Sequence, residues 1–138
     1  MQYWLVKTEP GTWSWDDQVK AGSTHWDGVR NHQAANNMRA MKNGDRCFFY
    51  HSVSEKQVVG IVKVSRTFSP DPADDSGKFG MVDVTAVRPM KTPVSLAQIK
   101  AEPGLSEMVL VKNSRLSVQP VTEEEWAQVC AMGGVPKG

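Results

Sequence analysis

The side chains best suited to reactive chemistry in this 138-residue chain are three histidines, two cysteines and a handful of aromatic and acidic residues. His25, His32 and His51 share no His-x-x-x-His spacing, and Cys47 and Cys130 form no Cys-x-x-Cys pair, so no metal is expected. No Walker or Rossmann glycine pattern and no Gly-x-Ser-x-Gly elbow occurs, so no cofactor and no catalytic residue is expected either. Cys47 and His51 stand four apart in a run that reads as a strand, about 13 Å at ~3.3 Å per residue, too far for a nucleophile and its base. What remains is binding chemistry. Trp26-Asp27-Gly28-Val29-Arg30-Asn31 sets an aromatic plane, a carboxylate, a glycine and a cation just ahead of a helix start, whose free N–H groups suit an anion or a polar base edge. A splayed nucleobase is held by such stacking and edge bonding. The same tryptophan also fits plain core packing. Tyr50-His51-Ser52 and Lys7-Thr8-Glu9 end apolar runs with polar tips, which either line a pocket or cap the strands.

Charge is nearly balanced, 16 Lys+Arg against 15 Asp+Glu for a net +1, and so lacks the strongly basic signature of many nucleic-acid binders. It is unevenly spread. Residues 19–66 hold eight basic side chains against three acidic, a local +5 that also contains all three histidines, while the flanking segments are each −2. This stretch is either a patch that attracts an anionic polymer or a solvated face. The two distant cysteines read as reduced core thiols, which points to the cytoplasm, or to the nucleus in a eukaryote. No signal-peptide pattern and no run of ~18 apolar residues is present, so no membrane partner is expected.

The elements that must position these residues suit a single domain over residues 1–138. An aromatic and branched run at 3–6 stops at Glu9-Pro10-Gly11 and reads as a strand. Ser14 with Asp17 has capping-box spacing and opens a short helix that ends at Gly22. Residues 31–42 carry Ala34, Ala35, Met38 and Met41 on one helical face, and the opposite stripe of His32, Asn36 and Arg39 holds nothing that needs burial. Further strands are expected over 47–51, 58–64, 81–87 and 115–119, with a polar loop at 69–77. Ser95 with Gln98 and Thr122 with Glu125 repeat the capping box, each backed by a hydrophobic staple. Glu123, Glu124 and Glu125 then favour the positive end of the last helix dipole. Together these elements make a small α+β domain on a curled sheet or barrel.

Five ordered strings, Tyr3-Trp4-Leu5-Val6-Lys7-Thr8-Glu9-Pro10, Trp26-Asp27-Gly28-Val29-Arg30-Asn31, Phe48-Phe49-Tyr50-His51-Ser52, Met81-Val82-Asp83-Val84 and Arg115-Leu116-Ser117-Val118-Gln119-Pro120, resemble the EVE domain family over nearly the whole chain. Thr8 stands where the family usually has serine, and Val118 where isoleucine is common. The resemblance implies a PUA-like fold, a small mixed β-barrel flanked by short helices and related to the YTH and SRA readers. It also implies a non-catalytic module that reads a modified base in DNA or RNA, most notably a modified cytosine such as 5-methylcytosine or its oxidised forms. By analogy with YTH domains the base pocket would be framed by Lys7, Thr8, Trp26, Asp27, Gly28, Asn31, Tyr50, His51 and Ser52. Trp26 would stack, Asp27 or Asn31 would bond the base edge, and Arg30, Arg39 and Lys42 would meet phosphates. The competing reading is an enzyme acting on a modified nucleobase or nucleoside in the same pocket, with Asp27 or His51 as general base.

Overall fold

Alternation along the first strand sets the architecture. In β1 (Tyr3–Thr8) Trp4 and Val6 enter one apolar cluster and Leu5 enters another, so both faces of the sheet are covered. The remaining strands are β2 (Ser23–Trp26), β3 (Arg46–His51), β4 (Gln57–Pro70), β5 (Gly80–Ser95) and β6 (Val118–Val121). They form one mixed six-stranded sheet in the order β2-β5-β4-β3-β1-β6. The parallel pair is β1 with β3, and the other pairings are antiparallel. The helices are α1 (Trp15–Ala21), α2 (His32–Ala40), α3 (Leu96–Lys100), α4 (Val109–Lys112) and α5 (Glu123–Met132), with a 3-10 turn at Pro103–Leu105. This computed structural model describes residues 1–113 and 115–137.

The α+β class agrees with the sequence reading, but the barrel is left open, because β2 and β6 are edges that do not pair with each other. Helix α2 packs into the opening against β6, β4 and β5, burying Ala34, Ala35 and Met38. Its Asn37 Nδ2 donates to the Val118 carbonyl at 2.7 Å. That carbonyl points away from β1. The Lys7 N–H donates to the Ser117 carbonyl, so ladder bonds fall at 7/117, 5/119 and 3/121, and residues 118 and 120 face outward. Pro120 has no N–H to leave bare there. The β6 edge is therefore closed by a side chain and a proline.

Below the sheet, Phe48 stacks on Trp126 at 3.9 Å and Tyr3 on Trp126 at 4.6 Å, tying α5 to β1 and β3. The His32, Asn36 and Arg39 stripe stays exposed as expected, yet it covers aromatic surface. His32 lies 5.0 Å from the Phe79 ring and the Arg39 guanidinium 4.8 Å from Phe68. Strands β4 and β5 run well past the expected 58–64 and 81–87, the last strand begins at Val118 rather than 115, and β2 and α4 went unforeseen. Cys47 and Cys130 are free and buried; desolvation pushes both thiols up, Cys130 to about 11.

Asp45, only 3% exposed, ties the N-terminus to the turn ahead of β3. Its carboxylate accepts from the Gln2 N–H at 3.2 Å, the Trp4 indole N–H at 3.1 Å and the Lys42 N–H at 3.0 Å. Asp45→Ala orphans those donors and should lower stability by about 2 kcal/mol or more in urea unfolding. An unfolding midpoint equal to the wild type's would remove Asp45 from this role.

Candidate functional site

Where β2 ends, Gly28 at φ +74° turns the chain toward Asn31, whose side chain accepts from the Ala34 N–H and caps α2. This turn forms one wall of a cleft of ≈ 550 Å³. That wall runs from Thr24 through His25, Trp26, Asp27, Gly28, Val29 and Arg30 to Asn31. The facing wall is the end of β1, Lys7 and Thr8, with Ser117 just before β6, and Thr12 and Trp13 complete the lining. The cleft thus occupies the part of the open seam that α2 does not fill.

Trp26 is 8% exposed and its ring meets Phe49 edge-on at 5.6 Å, so it packs in the core and also borders the cleft. Asp27 is exposed, with no hydrogen bond or ion pair among the described residues. Thr8 Oγ1 donates to the Trp13 carbonyl at 2.9 Å and holds the 9–13 turn against the wall. Lys7 sits at the rim of this wall. It faces the same side as its register partner Tyr50, with the ammonium 5.7 Å from that ring, and desolvation lowers its pKa.

Tyr50, His51 and Ser52 do not line the cleft. Tyr50 is buried in the cluster on the opposite face, where desolvation raises its phenol pKa. His51 lies beneath α1. Its Nε2 accepts from the Trp15 N–H at 3.0 Å, so Nδ1 carries the proton given to Glu55 at 2.9 Å. That bond holds the Glu55 carboxyl below its usual value. The Ser52 N–H extends the parallel ladder to the Thr8 carbonyl. Side-chain placement explains the exclusion: Tyr50 belongs to the other apolar cluster, and the start of α1 covers His51. Arg39 and Lys42 are exposed near the far end of α2 and also lie off the cleft.

Arg30 is engaged elsewhere. Its Nη1 donates at 3.0 Å to Asp71, which is 3% exposed and also accepts from the Gly28 N–H at 3.1 Å and the Ala73 N–H at 2.9 Å. The Arg30 guanidinium lies 5.7 Å from the Phe79 ring. Asp71 comes from the 69–77 stretch that read as a plain polar loop, and nothing periodic marks it. The Ala73 amide most strongly, then the Gly28 amide and Arg30, hold its carboxyl below the ordinary value. Thr12, Trp13, Thr24, His25 and Ser117 also line the cleft, where nothing in the sequence marked them.

The structure is an open α+β sheet with an aromatic and carboxylate cleft in its seam. A YTH domain from Zygosaccharomyces rouxii, solved with N6-methyladenosine RNA, shares the fold at a TM-score of 0.61 and 14% identity, over 96% of this chain and 86% of that one. The EVE domain family model matches residues 2–132, and the chain belongs to that family. It is 58% identical to a Rhodopseudomonas palustris protein solved by NMR, with a TM-score of 0.93 over 97% of this chain and 94% of the other. It is 37% identical to human thymocyte nuclear protein 1 over 165 residues, covering 94% of this chain and 73% of that protein. The human protein has been solved in complex with DNA containing 5-methylcytosine, with a TM-score of 0.87 at 36% identity over 96% of this chain and 98% of that one.

Asp71→Asn should unfold at lower urea than the wild type at pH 7. The native carboxyl is depressed, so its stabilisation is present above the unfolded value of about 3.9 and is lost as pH falls through the lower folded value. The gap between the two proteins should therefore close in acid. A gap that is constant from pH 7 to pH 2 would show that the Asp71 charge does not brace the cleft wall.

Proposed function

We propose that this chain is a non-catalytic reader of 5-methylcytosine in DNA, with the base extruded into the seam cleft. The observation that carries the reading is the convergence of Trp26, Asp27 and Asn31 on one cleft in a chain whose 36%-identical human relative was solved on 5-methylcytosine DNA. The Trp26 ring offers a surface to the base. Asp27 accepts one hydrogen of the cytosine amino group, and the Asn31 amide nitrogen, which the helix cap leaves unused, donates to O2. Arg39 and Lys42 meet backbone phosphates outside the cleft, and Arg30 acts as a positioning residue through Asp71 rather than as a phosphate contact.

The fold supplies no helix long and apolar enough to cross a membrane among the described residues, and no cluster of three metal-ligating side chains. DNA as ligand places the work of the protein in the cytoplasm, or in the nucleus of a eukaryote. RNA remains an arm of the binding test, since one mode of extruding a base serves either polymer.

Burial of a single methyl group contributes about 0.8 kcal/mol, roughly fourfold in affinity, so a preference of that order for methylated over plain oligonucleotides is expected. Trp26→Phe keeps an apolar ring in the core while shrinking the stacking surface, and should cut that preference with the thermal melt preserved. Preference unchanged in this variant would put the base elsewhere. Arg39→Ala should weaken plain and methylated DNA alike and reduce the slope of log K against log salt by about one; an unaltered slope would take Arg39 off the DNA. Mass spectrometry of the recovered oligonucleotide should show no change, and turnover of the modified base would favour the enzyme reading instead.

A further inference from the structure

Strand β2 is an open edge, and its register decides which of its backbone groups are free. The Ala86 N–H donates to the Gly22 carbonyl at 2.9 Å, and β2 pairs with β5 at 23/85, 24/84, 25/83 and 26/82. Ladder bonds in an antiparallel pair fall at alternate positions, here 22/86, 24/84 and 26/82. The N–H and C=O of Ser23 and His25 therefore point away from β5. Their side chains agree: at these closer, non-bonded pairs Ser23 Oγ meets Thr85 Oγ1 at 2.5 Å and His25 Nδ1 meets Asp83 Oδ1 at 2.6 Å.

His25 also lines the cleft. Alternation sends its imidazole to the face opposite Trp26, where Asp83 holds it, so what it presents to the cleft is main chain. Among the described residues that N–H and C=O have no partner. The other edge of the seam is treated differently, since Asn37 takes the Val118 carbonyl and Pro120 lacks a donor. An unblunted strand edge invites pairing, and at His25 the space available for a partner is the cleft itself.

Resting on the reader assignment above, we infer that the His25 main chain reads the Watson–Crick edge of the extruded base, its N–H donating to ring N3 and its C=O accepting the second amino hydrogen of cytosine. This donor-acceptor order selects bases with an amino group beside an unprotonated ring nitrogen. Thymine presents the reverse order, N3–H beside O4, and is rejected because both backbone groups would face like partners. The methyl group adds affinity, and the strand edge supplies base identity.

Two variants separate backbone from side chain. His25→Ala keeps the amide and serves as the reference that isolates the contribution of the side chain. His25→Pro removes the amide at an edge position where no ladder bond is lost and the preceding residue is already extended; it should bind about tenfold more weakly, with circular dichroism unchanged. The ligand is varied in parallel by placing 3-deaza-5-methylcytosine, which lacks the ring acceptor, opposite an abasic site so that lost pairing does not enter. The wild type should lose about tenfold on the deaza base, and His25→Pro should lose nothing further. Full binding by His25→Pro, or additive losses, would overturn the assignment. Should His25→Pro not fold, a wild-type loss under twofold on the deaza base overturns it just as well. Lack of any methyl preference in the wild type sinks the reader reading and this inference together, whereas a preference kept intact in His25→Pro sinks this inference alone.

Discussion

The two edges of the sheet never meet, and most of the molecule is arranged around that gap. A six-stranded sheet this curled leaves an opening between β2 and β6 that must be filled or left wet. Helix α2 fills one part with Ala34, Ala35 and Met38, small and flexible side chains that let it sit close to the strands. The rest is the cleft. Its walls are consequently strand ends and the turn into α2, where main-chain groups are least committed to ladders. A cleft built this way can be polar without any exceptional residue, because the backbone supplies donors and acceptors of its own.

Two buried carboxylates keep the loops around the gap in place. Asp45 gathers three N–H groups from the N-terminus and the turn before β3, and Asp71 gathers two backbone amides and one guanidinium across the cleft wall. Each binds segments far apart in sequence through charge-assisted bonds, which are stronger than neutral ones. The Arg30 ion pair also lowers the free charge of the basic 19–66 stretch.

Local signals in the sequence were read well wherever a side chain reports on its own neighbourhood. The three capping boxes at Ser14, Ser95 and Thr122 start helices where their spacing says, and the apolar face of residues 34–41 is buried as its period demands. Strand β2 escaped because Ser-Thr-His-Trp, with one buried residue, has no alternation to detect. The ends of β5 also escaped: Pro89 and Pro93 lie within it, beyond the 82–85 stretch that pairs with β2, where β5 is free of that second neighbour. Of the site, the Trp26 to Asn31 wall was legible as a motif. Tyr50, His51 and Ser52 lie off the cleft, and their sequence does not tell this, because polar tips at a strand end look alike whether they meet solvent, a ligand or another element. Asp71 and the outward His25 amide depend on pairings that no short window contains.

The strand order has a further consequence for how the molecule comes into being. β1 is synthesised first, but it is completed by two neighbours, β3 and finally β6, the last strand made. Until β6 arrives, β1 has a bare flank, α2 lacks the Val118 carbonyl that its Asn37 binds, and Ser117 is not in position to form its side of the cleft. Such long-range closure is slow relative to local helix formation. The cleft is therefore a late product of folding, so a nascent or truncated chain that ends before residue 117 has only part of its wall.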